Sequence, residues 1–203
     1  MEVRHYWNDL PADYPWGQSV AIDTEAMGLR RGRDRLCVVQ LSNGDGICHL
    51  VQIHNQNPTG SPRLKKLLED PSIEKLFHFA RFDVALLYHD LNILCQPIYC
   101  TKIASRLART YTDRHGLRDL CRDLLGKDIS KSEQTSDWGN ETLTEEQKRY
   151  AATDVLHLHA LRKKLDLLLQ REKRQHLAKA CFHFLPHRAM LDCAGWEDDI
   201  FQH

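Results

Sequence analysis

The spacing of apolar positions changes period along this chain, and the changes predict its elements. Val20 to Glu25, Leu36 to Leu41 and Ile47 to Val51 are short runs with strand composition. The last two flank Asn43-Gly44-Asp45-Gly46, a strong turn signal, so they predict a hairpin beside the first strand. Leu64 to Leu68 predicts a short helix, and Ile73 to His78 a strand feeding directly into a helix that opens Asp83-Val84-Ala85-Leu86-Leu87. Pro97 to Cys100 reads as a short strand, then Lys102 to Arg109 and Leu117 to Leu125 as helices, the second stopped by Gly126. Thr144 and Gln147 have capping-box spacing at the start of a long helix. Its face of Leu156, Leu161, Leu165 and Leu168 is expected in the core, while Leu167-Leu168-Leu169 could also meet another subunit. A last helix begins near Arg174 and is expected to end or bend before Pro186.

The chain has 203 residues, enough for one α/β domain over 1–203, and no composition break or linker suggests a second. Its 28 basic residues balance 28 acidic ones. A neutral chain does not advertise the broad basic surface with which long nucleic acids are held. Arg30-Arg31-Gly32-Arg33-Asp34-Arg35 is a local basic stretch with two readings, a solvated loop or a contact to substrate phosphate. The seven cysteines show neither C-x-x-C pairing nor zinc spacing and read as buried reduced thiols. The N-terminal residues lack the apolar centre of a signal peptide, and no run is long enough to span a membrane, so a cytoplasmic protein is expected.

Acidic residues carry the chemistry. Asp23 and Glu25 are two apart in an extended segment and share one face. Tyr150 and Asp154, four apart in a helical stretch, stack on one side of a helix. Asp83 opens a helix, whose N-terminus favours the ionised carboxylate. If these acids converge, their mutual repulsion calls for bound cations, and an all-oxygen shell selects Mg²⁺ or Mn²⁺ over zinc.

Asp23-Thr24-Glu25, His78 through Asp83, and Tyr150 through Asp154 together resemble the three motifs of the tyrosine-containing DEDD 3′-5′ exonucleases, the branch of ribonuclease D. The match carries Asp23, Glu25, Asp83, Tyr150 and Asp154 residue by residue. Gln134-Thr135-Ser136-Asp137-Trp138 and Leu143 to Gln147 resemble the segment preceding the third motif. The ending, Phe184 to Arg188 and Gly195 to Phe201, is similar to the compact bacterial members called nanoRNase C. The resemblance implies a ribonuclease H-like α/β fold, a mixed central sheet flanked by helices with a helical C-terminal part. It also implies a ring-like homo-oligomer, with an octamer among the expected states. Ribonuclease D continues into further helical domains where this chain stops at His203, so short single-stranded RNA, down to dinucleotides, is the expected substrate.

The expected mechanism is two-metal hydrolysis to nucleoside 5′-monophosphates, with Asp23 bridging both ions, Glu25 and Asp154 on the side of the attacking water, and Asp83 supporting the other site. Tyr150 positions or deprotonates the water; a reference pKa of about 10 favours positioning. Thr24, Met27, Gly28 and Leu29 are candidate substrate contacts, with core packing as the competing account for the last three. His78 either reaches phosphate or ribose or is a satisfied core histidine. Gln134, Ser136, Asp137 and Trp138 order a loop over the pocket, or Trp138 anchors that loop in the core. His157 and His159 are two apart on the helix and are placed outside the site. The motifs define the chemistry but neither sugar nor length. Trimming of longer RNA, 3′-5′ hydrolysis of DNA, and an inactive nucleic-acid-binding module therefore remain as alternatives.

Overall fold

The computed structural model describes residues 1–30, 32–54, 60–129, 136–196 and 200. Strands β2 (Ser19–Ala26), β3 (Leu36–Ser42) and β4 (Ile47–Gln52) form the expected antiparallel meander. The β3–β4 turn needs two left-handed residues and has Gly44 and Gly46 there, both at φ +90°. β5 (Glu74–Phe77) lies parallel to β2, and β6 (Ile98–Cys100) parallel to β5. The sequence pattern did not reveal β1 (Glu2–Trp7), which pairs parallel to β4 and completes the order β1-β4-β3-β2-β5-β6. It is an edge strand without a fully buried residue, so the apolar alternation that marks a half-buried strand is faint in it.

Among the described residues seven helices pack around this sheet: α1 (Pro62–Glu69), α2 (Ala80–Leu91), α3 (Thr101–Ala108), α4 (Leu117–Leu120), α5 (Glu145–Leu156), α6 (Leu158–Arg171) and α7 (Gln175–Cys193). α4 passes into a π-helical turn at Cys121–Leu125, closed by Gly126 at φ +65°. β3 is buried along its whole length, and the main core fills the space between the sheet and the helices. A smaller core of Cys37, Val38, Leu50, Trp138, Leu143 and Ala151 seals α5 to the sheet. All seven cysteines are free thiols, five of them buried, with Cys193 half-buried and Cys181 exposed. Among the described residues no helix is long and apolar enough to cross a membrane.

Two expectations about helices are corrected. The long helix after Thr144 is two helices, broken at His157, whose backbone at φ −100°, ψ −11° ends α5 and re-aims the chain. The break turns Leu158, Leu161, Leu165 and Leu169 into the core, while Leu156 and Leu168 are only partly buried and Leu167 is exposed. α7 continues through Pro186 instead of ending before it. An interior proline costs a helix about 3 kcal/mol. Here the turn is held by burial of Phe182, Leu185, Pro186 and Ala189 and by a charge cluster on Asp192. Arg81 of α2 forks onto both Asp192 oxygens at 2.8 Å, and Arg188 reaches one of them at 2.9 Å.

The capping box at α5 is present as predicted: the Gln147 N–H donates to Thr144 Oγ1 at 3.1 Å, and the Thr144 N–H donates to Gln147 Oε1 at 2.9 Å. Gln147 is also buried and donates through Nε2 to Ser136 Oγ at 2.7 Å, tying the helix start to the preceding loop. Thr144→Ala should therefore lower unfolding free energy by about 1 kcal/mol, read from the midpoint of urea denaturation at unchanged slope.

Candidate active site

β2 organises the site because its side chains alternate faces. Asp23 and Glu25 point to one face, where Asp154 of α5 meets them; one oxygen from each of the three lies within 4.8 Å of the others. Thr24 points to the other face and donates its hydroxyl to Asp83 Oδ1 of α2 at 2.6 Å. The four acids thus converge on the end of β2 in two layers, three facing one another and Asp83 buried behind Thr24. Gln40, paired with Asp23 across β3, donates to Glu25 Oε1 at 3.4 Å. It is a buried polar residue in the middle of a strand whose other residues up to Leu41 are apolar, and that mismatch is the signal by which it could have been found.

The cleft above these acids encloses about 920 Å³ and is lined by Met27, Gly28, Leu29, His78, Ser136, Trp138 and Tyr150 among others. Met27 and Leu29 are exposed, which excludes core packing as their role. Gly28 is required by its neighbour, since a Cβ there would strike the Asp34 carboxylate. Asp34 in turn accepts from the Arg30 N–H at 2.9 Å and from the Arg33 guanidinium at 2.7 Å, cinching the loop after β2. Arg35 donates to the Ile53 carbonyl at 2.9 Å and reaches the Gly139 carbonyl at 3.3 Å, so it braces loops. Trp138 is buried and lies 6.2 Å from the Tyr150 ring, so it both anchors its loop and backs the tyrosine. Asp137 is exposed and caps the loop by accepting from the Gly139 N–H at 3.0 Å. Gln134 and Arg31 lie outside the described residues. His157 is half-buried at the α5–α6 break, and His159 approaches the Ser19 carbonyl at 3.4 Å.

The opposite wall was not anticipated from the sequence. Phe79, Phe82, Lys102, Arg118 and Arg122 line it. Phe79 holds a left-handed backbone, φ +65°, as N-cap of α2, and Lys102 Nζ sits 4.1 Å above its ring. Lys102 and Arg118 have no carboxylate partner among the described residues, whereas Arg122 pairs with Asp119 at 2.8 Å. The cleft therefore has an acidic floor and a cationic wall.

Burial, then the other acids, pushes the Asp23 carboxyl well above its ordinary range and Glu25 likewise. Burial raises Asp83 and Asp154 to about 7. The Thr24 hydroxyl and the backbone N–H groups of Asp83 and Thr24 favour the Asp83 anion, as expected at a helix N-terminus, and burial outweighs them. Burial and the nearby acids also raise the Tyr150 phenol, so it stays protonated. Among the described residues none of the four acids is paired with Lys, Arg or His. An all-oxygen cluster with no protein counter-charge fits a hard divalent cation, held by Asp23, Glu25 and Asp154 with Asp83 in support.

The family described as 3′-5′ exonuclease matches residues 7–170. Ribonuclease D of Granulibacter bethesdensis is 34% identical over 158 residues, 76% of this chain and 38% of that protein, so the chain spans well under half the length of this relative. Brucella melitensis NrnC is 53% identical, with all of this chain and 98% of that chain superposed at a TM-score of 0.95. Structures of the same protein exist with bound Mg²⁺, at 52% identity, TM-score 0.94 and full coverage of both chains, and bound to pGG, at 52%, 0.95 and coverage of 100% and 99%.

The raised carboxyls make a stability prediction whose sign is set by proton counting. Between the ordinary carboxylate value of about 4 and about 7, the folded protein holds protons that the unfolded chain has released. Stability without divalent metal should therefore fall as pH rises through that window. Thermal melts in EDTA should show a midpoint declining from pH 5 to pH 8, and saturating Mg²⁺ should flatten the decline. A midpoint that rises with pH in EDTA would contradict the arrangement.

Proposed function

This chain belongs to the 3′-5′ exonuclease family, of the ribonuclease D and NrnC kind, and on that premise we propose that it hydrolyses short oligoribonucleotides from the 3′ end to nucleoside 5′-monophosphates. The observation that carries the reading is the acidic floor: three carboxylates within 4.8 Å, a fourth behind them, and, among the described residues, no protein cation paired with them. Two divalent ions, Mg²⁺ or Mn²⁺, would supply water activation and stabilisation of the leaving 3′ oxygen. Mg²⁺ bound in a relative 52% identical to this chain supports the metal class.

The chain's own groups have separable tasks. Asp23, between Glu25, Asp154 and Asp83, is suited to share its oxygens, while Glu25 is steadied by Gln40. Asp83 is held in one rotamer by Thr24. Tyr150 keeps its proton because the surrounding carboxylates disfavour a phenolate, so it acts by donating a hydrogen bond that orients the attacking water. Leu29 and Met27 present apolar surface on which a base can rest without sequence choice. Lys102 and Arg118 supply counter-charge for a phosphate adjacent to the scissile one.

Short substrates suit this cleft for two reasons. Its volume of about 920 Å³ sits within the ~300–1,000 Å³ range of small-molecule sites, and the chain carries zero formal net charge rather than a basic track. The pGG held by the Brucella relative supports the same class. A homo-oligomer, an octameric ring by resemblance, remains part of the proposal, with the exonuclease unit spanning 1–203.

Three measurements test this reading. With 5′-labelled RNAs of two to about twenty nucleotides and Mg²⁺ or Mn²⁺, the dinucleotide should be converted fastest. A regular ladder from the long strand with the dinucleotide intact would instead support trimming of longer RNA. Asp154→Asn should reduce turnover to background, and Tyr150→Phe should lower kcat roughly 10- to 100-fold while leaving the Mg²⁺-induced rise in melting midpoint intact. Arg118→Ala should raise KM for a 5′-phosphorylated dinucleotide several-fold with little change in kcat, the signature of lost ground-state binding.

A further inference from the structure

His78 follows the last residue of β5 and lines the cleft. The parallel β2–β5 ladder pairs Ser19 with Glu74, Val20 with Lys75 and Ala21 with Leu76. Carried two residues further, the same register brings His78 level with Asp23, beside the reacting phosphate of the proposed function, on which this inference rests.

The two ring nitrogens of His78 are not equivalent. Nδ1 lies 2.9 Å from Thr101 Oγ1, and the Thr101 hydroxyl donates to the Phe77 carbonyl at 3.1 Å. With its proton committed, Thr101 has only lone pairs to offer, so His78 Nδ1 carries the hydrogen and donates it. Thr101 is fully buried at the first position of α3, which leaves the relay no water to exchange with. Burial and then the Lys102 ammonium hold the imidazole far down, at about 3, so the ring is neutral. Nε2 is therefore a bare acceptor. It makes no hydrogen bond among the described residues and is not sealed from solvent.

An acceptor-only atom in a cleft that Asp23, Glu25 and Asp154 also line repels phosphate oxygens and can take only a donor. On the sugar-phosphate backbone of a nucleic acid the donors are ribose hydroxyls. We propose that His78 Nε2 accepts a hydrogen bond from a ribose hydroxyl of a nucleotide flanking the scissile phosphate, and that Thr101 is the positioning residue that keeps this lone pair available. The contact makes His78 a specificity-determining residue for the sugar. A 2′-hydroxyl partner yields preference for RNA over DNA, and a terminal 3′-hydroxyl partner yields recognition of an unblocked end.

The two sources are separated by dinucleotides carrying deoxy or fluoro groups at the 2′ position of each sugar, or at the terminal 3′ position, assayed as kcat/KM. For wild type, removing the recognised hydroxyl should cost roughly 10- to 100-fold. Fluorine cannot donate, so the fluoro substrate should fare no better than the deoxy one. In His78→Phe that penalty should shrink to about 2-fold or less, with folding checked by circular dichroism. Thr101→Val, which releases the tautomer, should shrink it in part, and Thr101→Ser should retain it; this pair tests the relay even if His78→Phe does not fold. Penalties unchanged in His78→Phe or Thr101→Val, a fluoro substrate as good as the hydroxyl, or a penalty that follows the base rather than the sugar would overturn the proposal. Failure of wild type to cleave the all-ribose dinucleotide would instead overturn the short-substrate reading on which this inference rests.

Discussion

Repulsion among four carboxylates is the constraint around which this structure is arranged. Asp23, Glu25 and Asp154 crowd together, Asp83 stands behind them, and the protein supplies no neighbouring cation of its own among the described residues. Such a cluster keeps its geometry only if each acid is held by something stiffer than its own side chain. Two acids sit on β2, a central strand paired on one side with β3 and on the other with β5. The other two come from helices, Asp83 from α2 and Asp154 from α5. Because strand side chains alternate, one strand end can serve both layers, with Asp23 and Glu25 meeting α5 and Thr24 meeting α2.

The scaffolding around the cluster holds these elements in place. α5 starts at a capping box whose Gln147 also grips Ser136, so the helix that carries Tyr150 and Asp154 is locked to the loop that carries Trp138. Trp138 lies in the small core beneath α5 and backs Tyr150. α2 is held to α7 by Arg81, which forks onto the buried Asp192, and Arg188 of α7 itself adds a second cation, so that buried carboxylate is paired rather than stranded. Each device acts on an element one step removed from the chemistry, which is how a polar site is kept in place without being filled.

Much of this was legible in the residues. The meander, its Gly-containing turn and the capping box follow from local patterns that hold regardless of what surrounds them. The acids on β2 share a face because the strand period is two, and Tyr150 and Asp154 share a side because four residues make a little more than a helical turn. Less legible features depended on neighbours. β1 is an edge strand with a weak pattern, α7 passes through Pro186 because its partners outweigh the lost hydrogen bond, and the chain breaks at His157 with no proline or glycine to announce it.

By itself the sequence determined which acids are available, their all-oxygen character and the elements that carry them, because residue type and local period are properties of the chain alone. Only the tertiary structure decided three other things. It placed Asp83 against the Thr24 hydroxyl, next to Asp23 but outside the group of three, since how α2 packs against β2 is a matter of tertiary contact. It brought Lys102 and Arg118 across the cleft from elements distant in sequence. It also selected one tautomer of His78, through a hydroxyl 23 residues away whose own proton is committed to a backbone carbonyl. Charge and hydrogen-bond direction are set by what surrounds a group, and the surroundings exist only once the chain has folded.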